Sequence, residues 1–270
     1  MVNDLERFSA EVRWLCLNMT HNAGASHVGS ALSIVDLVSV LYCRVLQVEP
    51  NNPDAPQRDR FILSKGHACV AIYAVLAKCG FFREDRLEEY GTFGSIFMNH
   101  VSHAVPGVEF STGSLGHGLP FGAGKALHAK RSGADWQTVV LLSDGELNEG
   151  SNWEALMFAA HHKLSNLITI VDCNGLQSLT TTEATLDMAP LEDKFRSFGL
   201  KTAIIDGHDH ETIETTLRDA VAETDVPTVI IANTVKGKGV SFMENEVLWH
   251  YRPPSADDLS KAAEELGIGR

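Results

Sequence analysis

The stretch 139-VVLLSDGELNEGSNWEAL-156 decides how this chain is read. Four apolar residues run into Ser143-Asp144-Gly145, two further acids follow at Glu146 and Glu149, and the pattern then takes up helical spacing. A short continuous apolar run is the mark of a strand buried on both faces, and the aspartate falls where that strand ends. The same kind of run recurs downstream, so that strands are expected at 138-TVVLLS-143, 167-LITIVDC-173, 200-LKTAIID-206 and 227-PTVIIAN-233. Helical patterns near 152–163, 190–198 and 210–223 separate them. Alternation of this kind predicts a doubly wound parallel sheet with helices on both faces, the α/β class.

Upstream, 4-DLERFSAEVRWLCLNMTHNA-23 carries Leu5, Phe8, Val12, Leu15 and Met19 at helical spacing until Gly24 breaks it. After the loop GASHVGS, 33-SIVDLVSVLYCRVLQV-48 reads as a second, heavily buried helix. The turn-rich 49-EPNNPDAPQRD-59 leads into a short strand at 60-RFIL-63, and 64-SKGHACVAIYAVLAKCG-80 places Gly66 and His67 just before another apolar helix. The segment 91–126 is rich in Gly, Ser and His, and its later glycines feed a helix through about Lys130. We expect one α/β domain over 1–270, with an N-terminal helical and loop elaboration and a C-terminal arm from about Val235.

Composition narrows the function. A hydrophobic content of 44% in 270 residues supports a large core, and a net charge of −13 without any Lys/Arg cluster argues against nucleic acid or an anionic membrane as partner. The apolar runs are too short to span a bilayer. Five cysteines, an odd number with no CxxC pair and no secretory leader, predict reduced thiols in a cytoplasmic protein.

In an open parallel sheet, ligands collect at the carboxyl ends of the strands. Asp144 is expected at one such end and Asn174, in 172-DCNGLQ-177, at the next. One charged and one neutral oxygen donor on adjacent strand ends suit Mg²⁺, a hard cation that takes few protein ligands and shares the rest with phosphate oxygens and water. Gly145 and Gly175 allow close backbone approach. The residues alone also admit a plainer reading, Asp144 as a helix cap and Asn174 as a turn residue.

The spacing from Gly145 to Asn174, with 28 residues between them, resembles the thiamine-diphosphate fingerprint. Ser26-His27-Val28-Gly29, Ser64-Lys65-Gly66-His67, 107-GVEFSTGSLGHGL-119, 144-DGELNEGSNWEA-155, 174-NGLQ-177 and 235-VKGKGVSFMEN-245 follow in the order seen in transketolases. From about residue 4 to 250 the chain resembles the N-terminal, diphosphate-binding half of a transketolase, and most closely the separate N-terminal subunit of a split bacterial transketolase. That resemblance implies Asp144, Asn174 and the Leu176 carbonyl as magnesium ligands and Gly145 against the diphosphate. It implies Gly113, Ser114, Leu115 and Gly116 around the cofactor's ring system, and His27, His67, His100 and His250 along the channel to the thiazolium, His67 and His250 also within reach of the cofactor. Glu149 and Glu154 correspond to acids that face a partner near the cofactor. Imidazole suits such a channel on physical grounds, since it donates, accepts and titrates near neutrality.

The chain departs from the family pattern at three points. Ser143 stands where a first glycine is usual, 99-NHVSHAVPG-107 lacks the usual Gly-His-Pro so that either His100 or His103 lines the channel, and His250 is followed by Tyr251 and not glycine. Lys65 is assigned no role and reads as a solvated charge; His161, His162, His208 and His210 read as surface or capping residues. The implied function is reversible transfer of a two-carbon ketol unit from a ketose phosphate to an aldose phosphate, with thiamine diphosphate and Mg²⁺. The cofactor's proton activation needs a glutamate from a pyrimidine-binding domain, expected here on a C-terminal partner subunit in an α₂β₂ heterotetramer. The alternatives are half of a 1-deoxyxylulose-phosphate synthase and a non-catalytic thiamine-diphosphate-binding regulatory subunit. A nucleotide-binding Rossmann enzyme is disfavoured because no GxGxxG opens a helix after a first strand.

Overall fold

The computed structural model describes residues 4–268. Five strands, β1 (Arg60–Leu63), β2 (Thr138–Ser143), β3 (Leu167–Cys173), β4 (Lys201–Asp206) and β5 (Thr228–Asn233), form one parallel sheet in the order β1-β2-β3-β5-β4. The period-2 alternation of side chains divides each strand between two apolar layers. Val139, Leu141, Ile168 and Ile170 enter one core, while Val140, Leu142, Leu167 and Val171 enter the other. Both faces being covered, the strands read as unbroken apolar runs. The exception is β4, an edge strand whose Ile204 is half exposed.

The first layer is built by α1 (Leu5–Ala23), α2 (Val28–Leu32), α3 (Val35–Val40), α4 (Cys69–Lys78) and, later in the chain, α9 (His210–Val221). The second is built by α5 (Gly118–Ser132), α6 (Gly150–His161) and α8 (Leu191–Ser197), with a short α7 (Thr182–Leu186) in the connection after β3. Local chemistry sets the ends of α1: the Asp4 carboxylate accepts from Arg7 N at 2.9 Å, and Gly24 closes the helix at φ +61°.

Two expectations are corrected. The single helix expected over 33–48 is a broken one: α2 ends at Leu32, α3 runs from Val35 to Val40, and a wider π turn follows over Leu41–Val45. The break lies at Ser33, whose hydroxyl turns to Ser30 O at 2.9 Å and to the Asp172 carboxylate at 2.7 Å, a contact that periodicity does not register. The C-terminal arm carries a helix, α10 (Ala256–Glu265), which packs on α1 and starts from a Ser255/Asp258 capping box.

Register positions the site. Ser143 pairs with Asp172, and Asp144 N donates to Asp172 O at 3.1 Å, so Asp144 and Asn174 leave neighbouring strand ends side by side.

Candidate active site

A cleft of about 240 Å³ opens at the carboxyl edge of β2 and β3. Larger grooves exist, one of about 650 Å³ along α1, but it is lined mainly by solvated charges, whereas the chemically able side chains converge on the smaller cleft.

Its floor is the pair expected from the sequence. Asp144 is 5% exposed; its carboxylate accepts from Gly145 N and Gly175 N, each at 2.7 Å. Burial, and then the charge of Asp172, push this carboxyl up to about 6. Both effects would be relieved by a cation at its side. Asn174 is oriented by its neighbours, its amide donating to Asp172 Oδ2 at 2.9 Å and its Oδ1 accepting from Leu176 N at 3.1 Å. Gly175, at φ +74°, occupies the left-handed region and turns the chain so that its own N–H meets Asp144. Among the described residues no three His, Cys, Asp or Glu side chains form a closed metal cage. The donor set is a hard, oxygen-only one: a carboxylate, an amide oxygen and the Leu176 carbonyl.

Beneath them runs a charge network that sequence reasoning missed. Lys65, expected as a solvated charge, is fully buried and paired with the equally buried Asp172, while its ammonium also donates to Ser30 O at 3.0 Å. Burial opposes ionisation of Asp172, but Lys65 and the hydroxyls of Thr234 and Ser33 outweigh it and hold the carboxyl below its ordinary range. Lys236 is 2% exposed, and its ammonium donates to Gln177 O and meets His250 Nδ1, both at 3.1 Å, with Leu176 O at 3.4 Å. No carboxylate among the described residues pairs with it. Burial, and then Lys65, lower it to about 8. A buried ammonium that lacks an acid and lines a cleft is a ready partner for an anion. The signal for both lysines was their place: each follows a strand of the parallel sheet, β1 and β5, as Asp144 and Asn174 follow β2 and β3.

Four histidines form the wall. Ring centroids lie 4.8 Å apart for His27 and His250, 5.2 Å for His27 and His67, 5.8 Å for His67 and His250, and 6.0 Å for His27 and His100. Burial, with the neighbouring cations and rings, lowers His27 to about 4 and His250 to about 3, and lowers His67 as well. These three rings are neutral at physiological pH and offer both a donor and an acceptor to a polyhydroxylated ligand. His67 Nε2 meets Ser30 Oγ at 2.9 Å, whereas His27 Nδ1 is buried without a partner. His27 also adopts φ +73°, a strained value for a non-glycine residue, with its N–H donating to His250 O at 2.8 Å.

The choice between His100 and His103 goes to His100 on position. His100 lines the cleft, with its carbonyl held by Tyr73 Oη at 3.0 Å; His103 is exposed and its Nδ1 engages Ser111 Oγ at 2.7 Å. Gly113 approaches the His100 ring so closely that a Cβ would lie 3.1 Å from it, and Gly113 and Leu115 both border the cleft. Ser114 stands exposed at the loop tip outside the lining, and Glu149 and Glu154 are exposed on α6 or at its start, away from the cleft. Another buried acid links the loops: Glu146 accepts from Ser64 Oγ, from Gly116 N at 2.9 Å and from Ser143 N at 3.3 Å. His208 and His210 are not capping residues; both bond Asp36.

A parallel sheet with this cleft at its carboxyl edge defines an α/β protein of the thiamine-diphosphate-binding class. The family model described as "Transketolase, thiamine diphosphate binding domain" matches residues 6–270. The chain is 41% identical to one of the two chains of an apulose-4-phosphate transketolase from Actinobacillus succinogenes, over 98% of this chain and 96% of that one. It is 36% identical to the 6-deoxy-6-sulfo-D-fructose transketolase subunit SqwG of Clostridium sp., over 97% and 96%. Among solved structures, the transketolase of Campylobacter jejuni superposes with a TM-score of 0.94 at 31% identity, over 99% of this chain and 43% of that one. The chain therefore spans less than half of the solved transketolases it matches and nearly all of the relatives named as subunits. It belongs to the transketolase family.

Proposed function

We propose that this chain is the N-terminal subunit of a two-component transketolase, which moves a two-carbon ketol unit reversibly from a ketose phosphate to an aldose phosphate. The observation that carries this reading is the single cleft in which Asp144, the unpaired buried Lys236 and four histidines meet. Relatives of matching length bear the name of transketolase subunits.

The donors fit magnesium and a diphosphate. Asp144, Asn174 Oδ1 and the Leu176 carbonyl would hold the metal, and Gly145 N–H and Lys236 the diphosphate, with Gly113 and Leu115 against the ring system. Bound thiamine diphosphate would supply the carbanion and the electron sink that C–C cleavage requires. This chain's own residues bind and orient. The imidazoles of His27, His67, His100 and His250 accept and donate hydrogen bonds to the sugar's hydroxyls, and the unpartnered His27 Nδ1 has a buried site to offer. Burial on the apolar sheet limits water and strengthens each of these bonds. The depressed basicity of the His27, His67 and His250 rings keeps them able to take a hydroxyl proton in passing without holding it.

The proton-activating glutamate would come from a C-terminal subunit with a pyrimidine-binding domain, in an α₂β₂ assembly. Leu115, Glu149 and Glu154, the last two exposed, would then lie toward that partner. The five cysteines are free thiols, consistent with a cytoplasmic setting, and no helix among the described residues is long and apolar enough to cross a membrane. Co-purification with the pyrimidine-domain chain, sizing of each chain alone and together, and a ketol-transfer assay on each sample test the proposal. Activity confined to a complex with two copies of each chain supports it; full activity of this chain alone overturns it.

A further inference from the structure

Behind the cleft, on the far side of the segment that carries Lys236, lies a polar cluster to which the proposed function gives no part. Asp36 of α3, 4% exposed, receives Arg13 Nη2 of α1 and His208 on Oδ2, and His210 on Oδ1 at 3.0 Å. Burial works against its ionisation, but the hydrogen bonds of His208, His210 and Arg13 outweigh it and hold the carboxyl well below its ordinary range. Both carboxylate oxygens are thus engaged, and the cluster is not itself a binding site.

What it does hold is backbone. Val235 N–H points at His208 Nε2 at 2.8 Å, and since an N–H can only donate, Nε2 must accept. The ring proton of the neutral imidazole therefore sits on Nδ1, where it donates to Asp36 Oδ2 at 2.8 Å. Arg13, the other ligand of that oxygen, donates through Nε to Lys238 O at 2.9 Å. One buried carboxylate thereby orients two arms that grip the chain at Val235 and at Lys238, and Lys236 lies between the grips. The glycines of this segment fit the grip: a Cβ on Gly239 would lie 2.8 Å from Arg13 Cδ, and one on Gly237 would lie 2.3 Å from Met243 O.

We propose that Asp36, His208 and Arg13 are positioning residues that aim the Lys236 ammonium at the anion in the cleft. This rests on the reading of Lys236 as the diphosphate's cation. A lysine stem has four rotatable bonds, so a fixed backbone at both sides is what confines the ammonium to carbonyls and cleft. Its lack of an acidic partner means that no counter-charge holds it in place.

A double-mutant cycle on the full chain tests it, with magnesium pyrophosphate as the probe and calorimetry as the readout. His208→Phe keeps the ring's bulk and removes both hydrogen bonds; Lys236→Met removes the cation. We expect His208→Phe to weaken pyrophosphate binding about tenfold, the scale on which outer partners of a binding group act. In the Lys236→Met background it should change binding less than about twofold, because the effect travels through the lysine. His208→Gln, whose amide oxygen can accept from Val235 N–H, should recover part of the loss. Should His208→Phe fail to fold, His208→Gln and Arg13→Met enter the same cycle in its place. Equal losses with and without Lys236, or no loss at all, overturn the proposal by showing a purely structural role or none. Unchanged binding by Lys236→Met overturns it at its root and refutes the reading of Lys236 instead.

Discussion

Replacing Lys65 by methionine isolates the energetics of the site from its chemistry. Both side chains of the Lys65–Asp172 pair are completely buried, and the lysine's remaining bond goes to Ser30 O. Methionine preserves most of the stem's packing and deletes the charge. Asp172 then keeps three neutral donors, Ser33 Oγ, Asn174 Nδ2 and Thr234 Oγ1, but no cation in contact. Breaking one side of a buried ion pair costs about 3–5 kcal/mol, a large share of the roughly 5–15 kcal/mol that holds a domain folded. At about 2–4 °C per kcal/mol for a chain near this size, the melting temperature should fall by roughly 6–20 °C. The sign of the pH dependence follows from Asp172. In the native protein its carboxyl is held low, so its contribution is present above the ordinary carboxylate range and is lost only as pH falls through the lowered value. Without Lys65 the carboxyl is raised instead, and the deficit should shrink as acid neutralises it. Adding Asp172→Asn should restore more than half of the loss at neutral pH, because the Ser33 and Thr234 hydroxyls can rotate to suit an amide. Thermal melts of the three proteins between pH 5 and 8 measure this. A Lys65→Met variant within about 1 kcal/mol of the parent, with no pH dependence of the difference, would refute the buried-charge account.

The remaining expectations are briefer. Magnesium-dependent binding of thiamine diphosphate should weaken up to tenfold per pH unit below about 6, where Asp144 takes up its proton, and Asp144→Ala should abolish the binding; calorimetry in which the variant retains the parent's affinity overturns the metal-ligand assignment. His67→Ala should cut turnover of the assembled enzyme by about 10²-fold or more while leaving the melting temperature within about 3 °C, and the reverse pattern would make His67 a structural residue. Gly66→Ala would set a Cβ 2.5 Å from both Thr112 O and Thr112 Oγ1, and so should cost about 1–3 kcal/mol and loosen the loop that leads to Gly113; an unchanged melting curve would refute that contact.

What can be read from the sequence is what depends on neighbours along the chain. The β-branched runs mark every strand to within a residue, because burial on both faces leaves a continuous apolar signature. Asp144 and Asn174 can be placed because a strand's end is a local feature, and parallel strands put their ends together. Lys65 escapes the sequence for the opposite reason. Its partner lies 107 residues away, and no local pattern distinguishes a lysine at a strand end that meets an aspartate from one that meets water. His208 escapes it alike, since Asp36, its partner, is 172 residues distant on a helix that follows a break set by a third contact, at Ser33. His100 and His103 differ by which one Tyr73 and Ser111 happen to hold. The helix α10 is a different case: Ser255 and Asp258 spell a capping box before an amphipathic run, so this helix is legible in the residues, although the arm was expected without it.

The charges at the carboxyl edge show why the missed residues belong to the same design as the expected ones. Two carboxylates and two ammonium groups are buried there: Asp144, Asp172, Lys65 and Lys236. Lys65 and Asp172 neutralise one another, and Asp172 spends its remaining capacity on Ser33, Thr234 and Asn174, which fixes the Asn174 amide so that its nitrogen faces the pair and its oxygen is turned elsewhere. That leaves one carboxylate and one ammonium without counter-charge, both lining a cleft of about 240 Å³. A cation alone would satisfy Asp144 and leave Lys236 facing added positive charge; an anion alone would do the reverse. A metal ion already joined to an anion satisfies both, and the shifts of Asp144 upward and Lys236 downward are the two halves of that one unmet demand. The inner ion pair is therefore the device that leaves the outer two charges free, which is why the Lys65 substitution should disturb both stability and the orientation of Asn174 at once.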